Sequence, residues 1–152
     1  TGITLINELY LEDYLTRVVP SEMPDSYEME ALKAQAVCAR TYAYRQIQSN
    51  TYSQYGAHGD DSTNFQVYNN TKADDKSTQA VKETYGKMLF YGDKPIEAFC
   101  FSTSCGRTAD AGGRNRQYQH IHTPDCLLQI AGNLNLFGNL YARKLSRKLP
   151  FF

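Results

Sequence analysis

The chain has 152 residues, 41% of them hydrophobic, and its 16 basic and 16 acidic side chains leave no formal net charge. That is apolar material for one domain with a real core, and too little length for two; the balanced charge argues against a nucleic-acid binder, which carries a basic excess or stripe. No apolar run approaches the roughly 18 residues of a membrane span, and no signal peptide opens the chain at Thr1-Gly2-Ile3, so a membrane anchor is not expected within it. Tyr is abundant at 12 while Trp is absent; Tyr-rich surfaces suit carbohydrate or peptide contacts, although packing is the commoner use of the ring.

In chain order, Ile3-Thr4-Leu5-Ile6 reads as a short strand. Leu11, Tyr14, Leu15 and Val18 recur at helical spacing and predict a helix over 10–19, with Pro20 as its stop. A loop bracketed by Pro20 and Pro24 then carries Glu22. Asp25 followed by Glu28 resembles a capping box ahead of a long helix over 26–48, whose stripe of Met29, Leu32, Ala36, Ala39 and Ala43 is mostly small and permits close approach. Residues 49–65 have loop chemistry. Gln66-Val67-Tyr68 reads as a short strand, and 74–85 as a helix ended by Gly86. Residues 88–91, a Gly92-Asp93 turn and 96–101 read as a hairpin. Ser102 to Gly106 is a tight turn, Gly112 to Asn115 a loop, and the tail from Asn133 a weak amphipathic helix or a frayed end. The pattern predicts a single α+β domain, with N-terminal helices packed on a small, mostly antiparallel sheet.

Several stretches share their wording with one family: Leu11-Glu12-Asp13-Tyr14, Val19-Pro20-Ser21-Glu22-Met23, Ala31-Leu32-Lys33-Ala34-Gln35-Ala36, Ala39-Arg40-Thr41-Tyr42, Gln66-Val67-Tyr68 and Ser102-Thr103-Ser104-Cys105-Gly106. In these the chain resembles the stage II sporulation protein D family, lytic transglycosylases of the bacterial cell wall. The resemblance is clearest over 5–110 and implies a catalytic domain over 1–126, followed by an atypical tail over 127–152. Cys105 stands where the family usually has glycine. Some members carry a zinc-binding His-Cys pair just before the middle glutamine; Asn64 and Phe65 occupy those places here, so neither metal nor cofactor is expected.

The resemblance implies cleavage of peptidoglycan glycan strands between muramic acid and glucosamine, with 1,6-anhydro ends and no water consumed. It places the chain outside the membrane, at the cell wall or in the space between forespore and mother cell, with a wall amidase and other engulfment proteins as partners. Glu22 is the expected catalytic acid and base. One carboxyl group can serve both steps, whereas ordinary glycoside hydrolysis uses two. The acid must be protonated near neutral pH, so Glu22 is expected to be buried against Val18, Val19, Met23 and nearby Tyr rings. Lys33 and Arg40, two turns apart on one helix face, are candidates to hold a substrate carboxylate or acetamide or to orient Glu22. Gln35 is a candidate donor to a sugar hydroxyl, Tyr68 a candidate stacking ring, and Ser102, Thr103 and Ser104 candidate hydroxyls at the anomeric centre. Glu12 and Asp13 favour a helix N-terminus by charge.

The remaining residues leave alternatives open. Cys38 reads as a small buried apolar group. Cys100, Cys105, His120, His122 and Cys126 suit a zinc site, a Cys105–Cys126 disulfide or free thiols. Cys105 with His120 or His122 would be the thiolate pair of a cysteine peptidase, the second enzymatic reading. A non-catalytic module that binds glycan or modifies an amidase is the alternative outside enzymes.

Overall fold

A computed structural model describes residues 3–62, 65–69 and 73–98, together with the backbone of two strands at 140–144 and 150–151. The order is β1 (Leu9–Tyr10), α1 (Leu11–Glu22), α2 (Met29–Ile47), a 3-10 turn (Ser53–Tyr55), α3 (Asp75–Glu83), β2 (Lys87–Tyr91), β3 (Lys94–Pro95), β4 (Leu140–Lys144) and β5 (Pro150–Phe151). Three helices pack together, and α2 also packs on β2. One sheet has the order β3-β2-β4 and the other pairs β1 with β5. Every pairing is antiparallel. The architecture is α+β, as the sequence pattern predicts.

The core forms where the helical stripes meet. On α1 the stripe is Leu11, Tyr14, Leu15, Val18 and Val19; on α2 it is built around Ala31, Leu32, Ala36, Cys38, Ala39 and Ala43. The small side chains of α2 let α1, α3 and β2 approach its axis closely, while Leu89 and Ile96 fill the sheet side. Asp74 caps α3, its Oδ1 accepting the N–H groups of Lys76 at 2.7 Å and Ser77 at 3.1 Å. Gly86 and Gly92 take positive φ, 67° and 58°, at the turns that follow α3 and join β2 to β3. A residue with a Cβ would be strained at either place.

Four expectations are corrected. Pro20 does not stop α1; it lies inside it, and the helix runs on to Glu22. Proline forfeits one N–H bond and crowds the carbonyl four residues back, at about 3 kcal/mol. Val18, Val19 and Met23, all buried, contribute roughly 1.5–3 kcal/mol each on that turn. Met23 N–H closes it on Val19 O at 2.9 Å. Second, α2 starts at Met29, and the Glu28 that caps it makes no side-chain capping bond. The carbonyls of Asp25 and Tyr27 turn outward instead, accepting from Lys76 Nζ at 2.9 and 2.5 Å. Third, residues 3–6 and 66–68 form no strand; the N-terminal strand is Leu9–Tyr10. Fourth, the described residues of the tail, 140–144 and 150–151, are strands and not helix. β3 pairs with Phe90 and Tyr91 on one edge of β2, and Leu140–Lys144 pairs along the opposite edge from Lys87↔Lys144 to Tyr91↔Leu140. The expected second hairpin strand is only partly visible: Lys94–Pro95 is strand, Ile96–Ala98 is not, and Phe99 to Phe101 lie outside the described residues.

Candidate functional site

Glu22 is the last residue of α1 and is exposed. Its apolar neighbours Val18, Val19 and Met23 point into the core and do not enclose it, so the expected burial of this acid does not occur. The carboxylate is held from the other side. Residues 66–69 run as an unpaired segment along the carboxyl end of α1. Val67 N–H donates to Glu22 Oε1 at 3.1 Å, and Asn69 N–H donates to Ser21 Oγ at 3.2 Å. Ser21 in turn donates to Arg17 O at 2.6 Å. Among the described residues no hydrogen bond reaches Oε2 of Glu22, which leaves one oxygen fixed and one oxygen available.

Beneath this segment lies an aromatic platform. Tyr68 stacks on Tyr14 with ring centroids 5.5 Å apart and planes 5° apart. Tyr14 is almost wholly buried, and its hydroxyl donates to Gln66 Oε1 at 3.3 Å. Burial, then the nearby charge of Glu22, push the Tyr14 phenol well above the usual tyrosine range. Gln66 completes the link by donating from Nε2 to Ala39 O on α2 at 3.3 Å. Next to it Phe65 packs at a tilt on Tyr42, their centroids 5.5 Å apart. A Cβ at Gly59 would come within 2.5 Å of the Phe65 ring, so any larger residue there would displace that ring. That loop is fastened by Asp60, which accepts from the Tyr52 hydroxyl and from Ser62 N and Oγ. Hydrogen bonds from the Ser62 hydroxyl first, then Tyr52, hold the Asp60 carboxyl below its ordinary value.

The other sequence candidates fall in different places. Arg40 is completely buried, and each of its five N–H groups has an acceptor. Nε and Nη2 grip Glu12 Oε1 and Oε2 at 2.8 Å each; Nη2 also reaches Val81 O at 3.3 Å, and Nη1 reaches Lys87 O at 3.1 Å and Ala36 O at 3.4 Å. Glu12 Oε1 takes a further bond from Gly86 N–H at 3.2 Å. Arg40 is therefore a strut joining α1, α2, the end of α3 and β2, with no donor left for a substrate. Glu12 is its counter-ion rather than a simple helix-terminus charge. Lys33 bridges Glu30 at 2.6 Å and Glu83 at 2.7 Å. Hydrogen bonds to Glu30 first and Glu83 second hold its ammonium above the usual lysine range. Gln35 is buried, and among the described residues its amide has no hydrogen-bond partner; it shares a face of α2 with Ala39 and Tyr42. Tyr68 is half-buried, with one ring face against Tyr14. Ser102, Thr103 and Ser104, and likewise Cys100, Cys105, His120, His122 and Cys126, lie outside the described residues.

The structure thus gathers Glu22 and Tyr68 in one place, with Tyr14, Ser21, Gln66 and Val67 around them. The sequence left one usable signal for Tyr14: a tyrosine in a buried helical stripe needs a partner for its hydroxyl. Val67 acts through its backbone, which no side-chain pattern announces.

Comparison with known proteins agrees with the motif reading. The family model described as stage II sporulation protein matches residues 1–91. Stage II sporulation protein D of Bacillus subtilis (strain 168) is 42% identical over 121 residues, covering 70% of this chain and 35% of that protein. Its Bacillus amyloliquefaciens counterpart is 42% identical over 120 residues with the same coverage. The amidase enhancer of Bacillus subtilis (strain 168) is 40% identical over 94 residues, 62% of this chain and 12% of that protein. The chain spans about a third of the length of the two sporulation proteins it matches. On the strength of the family model and these identities, the chain belongs to the stage II sporulation protein D family.

Proposed function

We propose that this chain is the catalytic domain of a peptidoglycan lytic transglycosylase that acts outside the membrane in sporulation-related wall remodelling. Its substrate is the MurNAc–GlcNAc bond of denuded glycan strands, and Glu22 is both acid and base. The observation that carries the reading is the state of Glu22: an exposed carboxyl group at the end of a packed helix, with Oε1 fixed by Val67 N–H at 3.1 Å. In the first step the protonated carboxyl gives its proton to the glycosidic oxygen as the C1–O bond breaks. In the second, the ionised carboxylate removes the proton of the sugar's 6-hydroxyl, whose oxygen bonds to C1. The 1,6-anhydro ring closes, the acid is regenerated and no water enters. Fixing one oxygen of the group aims the other, the positioning on which acid–base catalysis depends.

Two residues, Tyr68 beside Glu22 and Gln35 on α2, are candidates for a sugar-binding role. The half-buried Tyr68 ring suits stacking on a pyranose. The Gln35 amide is buried without a partner among the described residues, a cost of roughly 1–3 kcal/mol that a sugar hydroxyl would offset. Similarity to an amidase enhancer favours a second reading, a module that binds glycan and modifies an amidase without cutting. Mass spectrometry of products from peptide-free glycan strands separates the two. Anhydro-ended fragments that disappear with Glu22→Gln are expected. Reducing-ended fragments would mean hydrolysis and a second carboxylate, and glycan binding without fragments would select the module.

A further inference from the structure

We propose that Gln66 and Tyr14 are positioning residues for Glu22: through a side-chain relay they set the 66–69 segment whose Val67 N–H orients the carboxyl group. The inference rests on the transglycosylase reading for its catalytic consequence, but not for its geometry. Residues 66–69 belong to no sheet, so nothing in a strand ladder fixes where Val67 N–H points. Its position is set instead by two side chains of the segment itself. Gln66 is buried and spans the groove between α1 and α2, accepting from Tyr14 on one side and donating to Ala39 O on the other. Tyr68 lies flat on the same Tyr14 ring. Alternation along an extended segment turns residues 66 and 68 inward, and the N–H groups of residues 67 and 69 face α1, where Glu22 and Ser21 accept them. One buried amide and one buried phenol therefore control the pose of an exposed acid.

A relay of this kind has a recognisable signature. Loosening it moves Glu22 by a fraction of an ångström without removing any group that touches the sugar, so turnover falls and affinity hardly changes. Supporting groups of this type typically account for about 10–100-fold in activity.

The test uses three variants, Gln66→Met, Tyr14→Phe and Gln66→Glu. Each is assayed for kcat and KM on peptide-free glycan strands, and for amide hydrogen exchange at Val67, Asn69 and Leu89. Gln66→Met keeps the shape and loses both bonds; Tyr14→Phe keeps the stacking ring and loses only the hydroxyl. Gln66→Glu keeps the acceptor for Tyr14 but turns a carboxyl oxygen on Ala39 O in a buried site, and is expected to be no milder than Gln66→Met. The expected result is a kcat lowered about 10–100-fold with KM changed less than about threefold. Exchange should be faster at Val67 and Asn69 and unchanged at Leu89 in the core. Full turnover despite a deprotected Val67, or a Val67 amide that stays protected in both Gln66→Met and Tyr14→Phe, overturns the proposal. If the parent chain releases no anhydro product the transglycosylase reading falls, and the exchange data still decide whether Gln66 and Tyr14 hold Val67 against Glu22.

Discussion

Replacing Arg40 by Met tests whether this arginine is a strut or a ligand for substrate. Met keeps much of the aliphatic volume and removes the guanidinium, so the loss is the charge and its bonds rather than a cavity. Four acceptors outside its own helix then lose a partner: both oxygens of Glu12, whose side chain is only 22% exposed, and the carbonyls of Val81 and Lys87. Gly86 N–H still reaches Glu12 Oε1, which offsets part of the loss. Breaking a buried pair by removing one partner costs about 3–5 kcal/mol. In a domain of this size each kcal/mol moves Tm by about 2–4 °C, so a fall of about 6–20 °C is expected. Urea unfolding with paired thermal melts measures it, and turnover per folded molecule is assayed well below the new Tm. The strut reading requires that turnover to stay within a few-fold of the parent. The double variant Glu12→Gln with Arg40→Met, which leaves no stranded charge, should recover part of the stability. A variant that melts like the parent but no longer cuts or binds glycan would refute the reasoning and return Arg40 to the substrate.

Two further expectations follow from the same geometry. Thr41 Oγ1 donates to Val37 O at 2.7 Å and accepts Leu89 N–H at 3.0 Å, the second bond buried; Thr41→Val leaves that N–H without its acceptor and is expected to cost about 1–3 kcal/mol, with faster amide exchange at Leu89 as the local readout. Asp74 is held below the ordinary aspartate value of 3.8, by the backbone N–H of Ser77 first. A depressed folded value means that its contribution is complete above the unfolded value and is lost as pH falls through the folded one. Asp74→Ala should therefore be less stable than the parent at neutral pH, and the two melts should converge as the pH falls through the depressed folded value; a gap that persists in acid would show that the cap does not act through its charge.

What was legible in the sequence was local. The α2 stripe is readable because small residues recur at helical spacing and nothing competes with them. The Gly92-Asp93 turn is readable because it is decided within a few residues. Pro20 misled because its penalty is local while the burial of Val18, Val19 and Met23 that outweighs it is tertiary. The start of α2 was misjudged for a similar reason: the lysine that draws the Asp25 and Tyr27 carbonyls outward is Lys76, far along the chain. Glu22 could be singled out, since a carboxylate between two prolines beside a helix is visible in the residues and fits a family pattern. Its setting could not, because Val67 approaches through a backbone N–H. Arg40 shows the limit most clearly. Its spacing from Lys33 suggested a shared working face, yet pairing with Glu12 takes it inside and leaves Lys33 on the surface.

The Glu12–Arg40 pair also sets where the molecule is able to open. Its bonds join residues 28, 41, 47 and 74 positions apart in sequence, so no single element can detach without leaving a charge in the core. The amino end of α1, the middle of α2 and the start of β2 should then behave as one cooperative unit that exchanges only by global unfolding. At the other end of α1, Glu22 and Ser21 are tied to 66–69 by one exposed backbone hydrogen bond each, and Tyr14 by one ring stack, which can open and re-form at far lower cost. Fluctuations are thereby confined to the end of the helix proposed to meet the glycan, where a long polymer strand would enter and leave while the rest of the fold stays closed.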